Sequence, residues 1–179
     1  VVVESRIIVA LVAIVRLEPD DTFRLIHFPL LLCHFTMSNG PVNDPSSLQN
    51  QNDAKNEYIQ ALRAVGSILQ YYDSDKEIPT YGFGAIVSDQ VPRPSHCFAL
   101  NGDIFAPECN GIDGVEAAYR NAIQRAKLHG PTYFSEILST INGRCEASEV
   151  SNYHQSYQIL LIITDGVIND LQKTIDEIV

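Results

Sequence analysis

Two runs of the 179-residue sequence leave little freedom in what the chain can become: FPLLLCHF at 28–35 and YQILLIITD at 157–165. Neither alternates polar with apolar positions, so each reads as a strand without a solvent face. Strands of that kind belong to parallel sheets covered on both sides. Around them, apolar residues recur at helical spacing. Tyr58, Ile59, Leu62, Val65, Ile68 and Leu69 mark a helix over 55–72, with Asp53 as its N-cap. IPTYGFGAIV (78–87) and HCFAL (96–100) read as a second and a third strand. DGVEAAYRNAIQRAKLHG (113–130) is a helix, with Asp113 and Glu116 as an approximate capping box and Gly130 as its stop. Val115, Ala118, Tyr119, Ala122, Ile123 and Ala126 form its buried face. Further helices are expected over 134–147 and in the amphipathic tail NDLQKTIDEIV. Strands alternating with helices predict a doubly wound α/β sheet, mostly parallel and flanked by helices. Ligands of such sheets sit beyond the carboxyl ends of the strands.

Charge narrows the function. The formal net charge of −10 opposes broad binding to nucleic acid, whose phosphates need Lys and Arg, and no basic block offsets it. It also opposes docking on anionic lipid. Cys33, Cys97, Cys109 and Cys145 are widely spaced with no CxxC pair, which fits reduced thiols of a cytoplasmic protein better than a zinc site or a disulfide framework. No N-x-[ST] sequon is present. Near the start, RIIVALVAIV has an apolar run, Ile7 to Val15, too short to cross a bilayer as a helix. Glu4 precedes it and no A-x-A site follows, so its β-branched residues point to a strand before a signal peptide.

Oxygen-bearing side chains gather at the ends of the expected strands. The first strand delivers Thr36 and Ser38, the loop GPTYF carries Thr132, and the long strand ends in Thr164-Asp165-Gly166. If the two strands are neighbours, these oxygens converge. Hydroxyls with one carboxylate suit Mg²⁺, Ca²⁺ or Mn²⁺, not zinc. Few negative ligands would leave residual charge for a partner's carboxylate.

The segments HFTMSN, YDSDKEIPTYGFGA, CNGIDGVEAAYRNAI, LHGPTYFSEI and LLIITDGVIND run collinear with the copine family, which the chain resembles from about Phe28 onward. The resemblance implies a von Willebrand factor A-type domain over 28–179, behind an atypical segment 1–27 that reads as a strand. It implies a metal-ion-dependent adhesion site at Thr36, Ser38, Thr132 and Asp165. It implies a non-enzymatic module binding proteins that present an acidic residue. Complete copines also carry two calcium-dependent phospholipid-binding domains, which implies a cytoplasmic protein recruited to the plasma membrane when calcium rises.

Three departures qualify this. The family's first loop begins D-F-T, and here His34 replaces the aspartate. A neutral imidazole is a poor exchange for a carboxylate around a hard cation, so weak binding is expected. Segment 1–27 resembles no lipid-binding domain, so membrane binding is expected only through family domains outside this sequence. The family's last strands are also missing, which predicts an open sheet edge and lower stability than an extended chain.

Other motifs read plainly. Asp73, Asp75 and Glu77 open like a calcium loop, but Ile78 and Gly84 stand where an EF-hand needs Gly and Glu, leaving a solvated acidic loop. Gly82 and Gly84 form G-x-G with Val87 in the third position, which points to close backbone packing and not a dinucleotide fingerprint. His34 has no second histidine at ligand spacing and no G-x-S-x-G accompanies it, so it reads as a tolerated strand-end substitution. Two alternatives stay open: a ubiquitin-ligase component whose ring domain lies outside these residues, and a non-functional fragment.

Overall fold

The computed structural model describes residues 8–15, 25–66, 68, 73, 75–147 and 155–178. Strands β1 (Ile8–Val15), β2 (Leu25–His34), β3 (Glu77–Phe83), β5 (Phe98–Ala99) and β8 (Gln155–Thr164) form one sheet in the order β1-β8-β2-β3-β5, with β6 (Glu108–Asn110) also pairing with β3. The centre is parallel: β2 pairs with both β8 and β3, Leu31 lying opposite Leu161 and Thr80. Antiparallel strands close the two sides. A separate ribbon pairs β4 (Ala85–Ile86) with β7 (Lys127–Leu128).

Both faces of the centre are covered, as its uninterrupted apolar runs require. Successive side chains of a strand point to opposite faces. Leu31, Cys33, Phe35, Leu161 and Ile163 pack against Tyr58 and Ile59 of α1 (Glu57–Ala61) and Val115 and Tyr119 of α2 (Gly111–Arg125). Leu30, Leu32, Leu160 and Ile162 pack against Ile137, Leu138 and Ile141 of α3 (Ser135–Ala147). Each fully buried Leu or Ile contributes about 1.5–3 kcal/mol. A last helix, α4 (Leu171–Ile178), follows β8. This is the expected α/β sheet with helices on both sides.

Several boundaries differ from the sequence reading. The first helix starts at Glu57, with Asn56 as its N-cap accepting from the Ile59 N–H at 3.0 Å, and passes into a π-helical segment at Leu62–Gly66. Ile68, expected on its buried face, is 58% exposed, and the expected end at 69–72 lies outside the described residues. Asp53 and Glu116 cap neither helix. Glu116 receives a bidentate pair from Arg63 at 2.9 and 2.7 Å, and Arg120 bridges it to Asp53. Two guanidiniums outcompete a backbone N–H for each carboxylate. Helix α2 begins after Asn110 and stops at Arg125, well short of Gly130, because Lys127–Leu128 is drawn into the ribbon with β4. The second strand breaks at Gly84 for the same reason, and only Phe98–Ala99 of HCFAL pairs. Asp73 is buried at 4% exposure, not solvated, and its Oδ2 has no hydrogen-bond partner among the described residues. Finally, β1 pairs along the outer side of β8 over eight residues, so the edge strand on that side is β1 and not β8.

Candidate functional site

The carboxyl ends of β2 and β8 lie side by side, and three loops meet above them. The first loop leaves β2 at His34 and turns through a 3-10 segment at Met37–Asn39. Its shape is held from beneath. Asn39 Nδ2 and Gln49 Nε2 both donate to the His34 carbonyl, at 3.0 and 2.8 Å, and Tyr58 donates its hydroxyl proton to Asn39 Oδ1 at 2.9 Å. Gly84 explains how Thr36 comes so close to β3. With φ +85°, a Cβ at Gly84 would lie 2.3 Å from Thr36 Cγ2, so only glycine fits. Gly82 likewise abuts the Phe98 ring, which bears out close packing as the meaning of G-x-G.

The second loop reaches the site because α2 ends early. The extended chain after it bridges Thr36 at His129, whose carbonyl accepts from the Met37 N–H at 2.7 Å. Thr132 follows, 3% exposed. The third loop is Thr164-Asp165-Gly166. Asn169 and Asp170 clip it to the second: Thr132 N–H donates to Asn169 Oδ1 at 2.8 Å and Asn169 N–H to the Thr132 carbonyl at 2.9 Å. Asp170 then accepts from the Phe134 and Ser135 N–H groups, both at 3.0 Å, at the first turn of α3.

At the meeting point stands His34. Its ring is fully buried and stacked on Phe83, with centroids 4.9 Å apart and planes 14° from parallel. Nε2 lies 2.5 Å from Thr36 Oγ1 and 3.1 Å from Thr132 Oγ1. Those two hydroxyls are 3.3 Å apart, and Ser38 Oγ is 2.6 Å from that of Thr36. On the other side, Nδ1 lies 3.2 Å from both Asp165 Oδ1 and Thr164 Oγ1. An ionised carboxylate only accepts, so Nδ1 is assigned the hydrogen it donates to Asp165. Burial would raise the Asp165 carboxyl, but hydrogen bonds from His34 and Ser38 outweigh it and bring the group down to about 2. Thr36, Ser38, Thr132 and Asp165 are thus brought together, through one imidazole.

The sequence reading missed the hinge of this arrangement. Thr164 stood in the quoted motif but was not assigned to the site. Asn169 and Asp170 read as the start of a helix, and the Asn-Asp pair ahead of α4 was their one available signal. Nothing local in the sequence marks Gln49 or Asn39 as supports of the first loop.

A parallel-centred sheet covered on both faces, with three oxygen-bearing loops at its carboxyl edge, is consistent with a von Willebrand factor A-like fold. A family model described as Copine matches residues 47–179, well over half of the chain, and the chain belongs to the copine family. The matched span includes Thr132 and Asp165 and starts beyond His34, Thr36 and Ser38, which rest on the HFTMSN resemblance. Among the described residues, no helix is long and apolar enough to cross a membrane, and no three His, Cys, Asp or Glu side chains cluster as metal ligands.

The family implies a hard cation at this edge. One carboxylate and three hydroxyls converge, which is the right chemistry. Yet Thr36, Thr132 and Asp165 all direct their oxygens at the imidazole, which stands among them. As arranged, the residues do not fit a hard divalent ion.

Proposed function

We propose that this domain is a non-enzymatic protein-interaction module that engages partners through the three-loop face. The observation that carries the reading is the setting of the polar notch. Met37 is 67% exposed beside Thr36 and Ser38, Tyr133 38% beside Thr132, and Val167 and Ile168 44% and 38% beyond Asp165. Each loop therefore offers water an apolar side chain next to its notch residue. Exposed apolar side chains grouped around a small polar centre mark interaction surfaces.

The partner is an intracellular protein that lays apolar side chains over Met37, Tyr133 and Ile168; an acidic residue of that partner meets the notch only when a cation is bound there, since Asp165 is itself ionised. Mg²⁺, Ca²⁺ or Mn²⁺ binds at Thr36, Ser38, Thr132 and Asp165 weakly at most, since each would have to displace the His34 contacts. Calcium-dependent phospholipid binding and recruitment from the cytoplasm to the plasma membrane belong, in this reading, to other domains of the family, because this domain carries net charge −10. Quantitative affinity capture from cell extract tests the proposal, comparing the unaltered chain with Met37→Ser/Tyr133→Ser/Ile168→Ser. Specific partners should be lost from the triple variant; equal capture by both would overturn the reading.

A further inference from the structure

A second concavity lies away from the three-loop face, where the short edge strand β5 meets α2. Its volume is about 420 Å³, within the range of small-molecule sites. Phe98, Ala99 and Leu100 form one wall. Ala122 of α2 and Ala126, just past its end, face them, and their small side chains leave the space unfilled. Ile104 and Val87, each 44% exposed, stand at the rim.

Among the described residues, one cation, Arg125, lines this apolar hollow. Arg125 donates Nε to the Asn121 carbonyl at 3.1 Å and Nη2 to the Leu100 carbonyl at 3.3 Å. Both acceptors are neutral, so they fix the guanidinium plane without cancelling its charge. Arg63, Arg120 and Arg144 each hold a carboxylate, whereas no carboxylate is within ion-pair distance of Arg125 among the described residues. Nη1 lies beside Gly102, whose φ of +93° is a backbone conformation that favours glycine. A planar guanidinium held in advance matches a carboxylate with two donors and loses little freedom on binding it. In a protein of net charge −10, a free anion gains little from the overall field, so apolar contact must supply the rest.

We infer that the hollow between β5 and α2 is a binding site for a small aliphatic carboxylate, its chain against Phe98, Leu100 and Ala122 and its head group on Arg125. This site is independent of the three-loop face. Octanoate is the probe, octanol its uncharged counterpart, and calorimetry the readout on the full chain. Octanoate should bind at least about tenfold more tightly than octanol. Arg125→Gln, at an exposed position, should bring octanoate down to the octanol level, while Ala126→Leu should weaken both by filling the hollow. Octanoate should also slow alkylation of Cys97, a half-buried thiol in the lining. The inference falls if octanoate shows no saturable binding up to about 10 mM, if octanol binds equally well, if Arg125→Gln changes nothing, or if Cys97 goes unprotected. Tighter binding of a leucine-terminated tripeptide than of octanoate would overturn the assignment to a free acid.

Discussion

His34 does by hydrogen bonding what an ion does by coordination: it ties three loops together. Replacing it with aspartate shortens the side chain, vacates the space against Phe83 and adds a negative charge beside Thr36, Thr132 and Asp165. We expect His34→Asp to raise Mg²⁺ or Mn²⁺ affinity at least about tenfold, or 1.4 kcal/mol. Titration calorimetry that finds the two proteins alike would count against the notch as a cation site. Without metal the same variant should melt lower, because two carboxylates then face each other unshielded, and saturating Mn²⁺ should restore it. A second residue-scale expectation concerns Asp73. Burial, then the neighbouring Asp75, pushes its carboxyl up to about 6. A folded-state value above the unfolded one means that the proton stabilises the fold, and that stabilisation disappears as pH rises from about 4 to about 6. Asp73→Asn, neutral throughout, should therefore raise stability at pH 7 by roughly 1–3 kcal/mol and have less effect at pH 4. Urea midpoints at the two pH values decide it; a larger gain at the lower pH would contradict the assignment.

Among elements, the clip between the second and third loops matters most. Asp170 accepts from the first N–H groups of α3 while its own chain enters α4, and Thr174 Oγ1 donates to the same carboxylate at 3.1 Å. Asp170→Ala should cost about 1–3 kcal/mol in a urea titration, since it leaves two helix N–H groups without their acceptor. Burial works against ionisation of Asp170, but those N–H groups outweigh it and hold the carboxyl below the usual range. Its contribution is therefore complete above the ordinary carboxylate value and fades as pH falls. Asp170→Asn should flatten that acid limb of the stability profile; an unchanged limb would show that the limb arises elsewhere. Such clips explain the limits of reading elements from sequence. The apolar runs of β2 and β8 and the face of α2 through Val115, Ala118, Tyr119 and Ala122 were legible, because burial leaves a periodic trace. The early end of α2 was not, because the ribbon that draws out Lys127–Leu128 is a pairing between residues some forty positions apart. Nor was the imidazole at the centre of the notch: the motif named four oxygens that the fold brings into one cluster, but the direction of a histidine ring depends on Phe83 and Asp165 together.

For the molecule as a whole, β1 decides how the sheet ends. A chain lacking residues 1–15 would leave β8 with a row of unpaired backbone groups, a template for pairing with other chains. We expect that deletion to aggregate at concentrations where the intact chain stays monomeric, by light scattering, and to unfold at lower urea. Unchanged behaviour in both assays would mean that β1 contributes nothing to the sheet. The register of this strand has a practical side. Because β1 runs opposite to β8, Ile8 is paired with Thr164, the immediate neighbour of Asp165. Whatever polypeptide feeds into Ile8 therefore arrives at the rim of the three-loop face proposed for partner binding, not at the opposite pole. A purification tag or fluorescent fusion joined directly ahead of Ile8 would crowd that rim, and immobilising the protein through such a tag would turn the three-loop face toward the support.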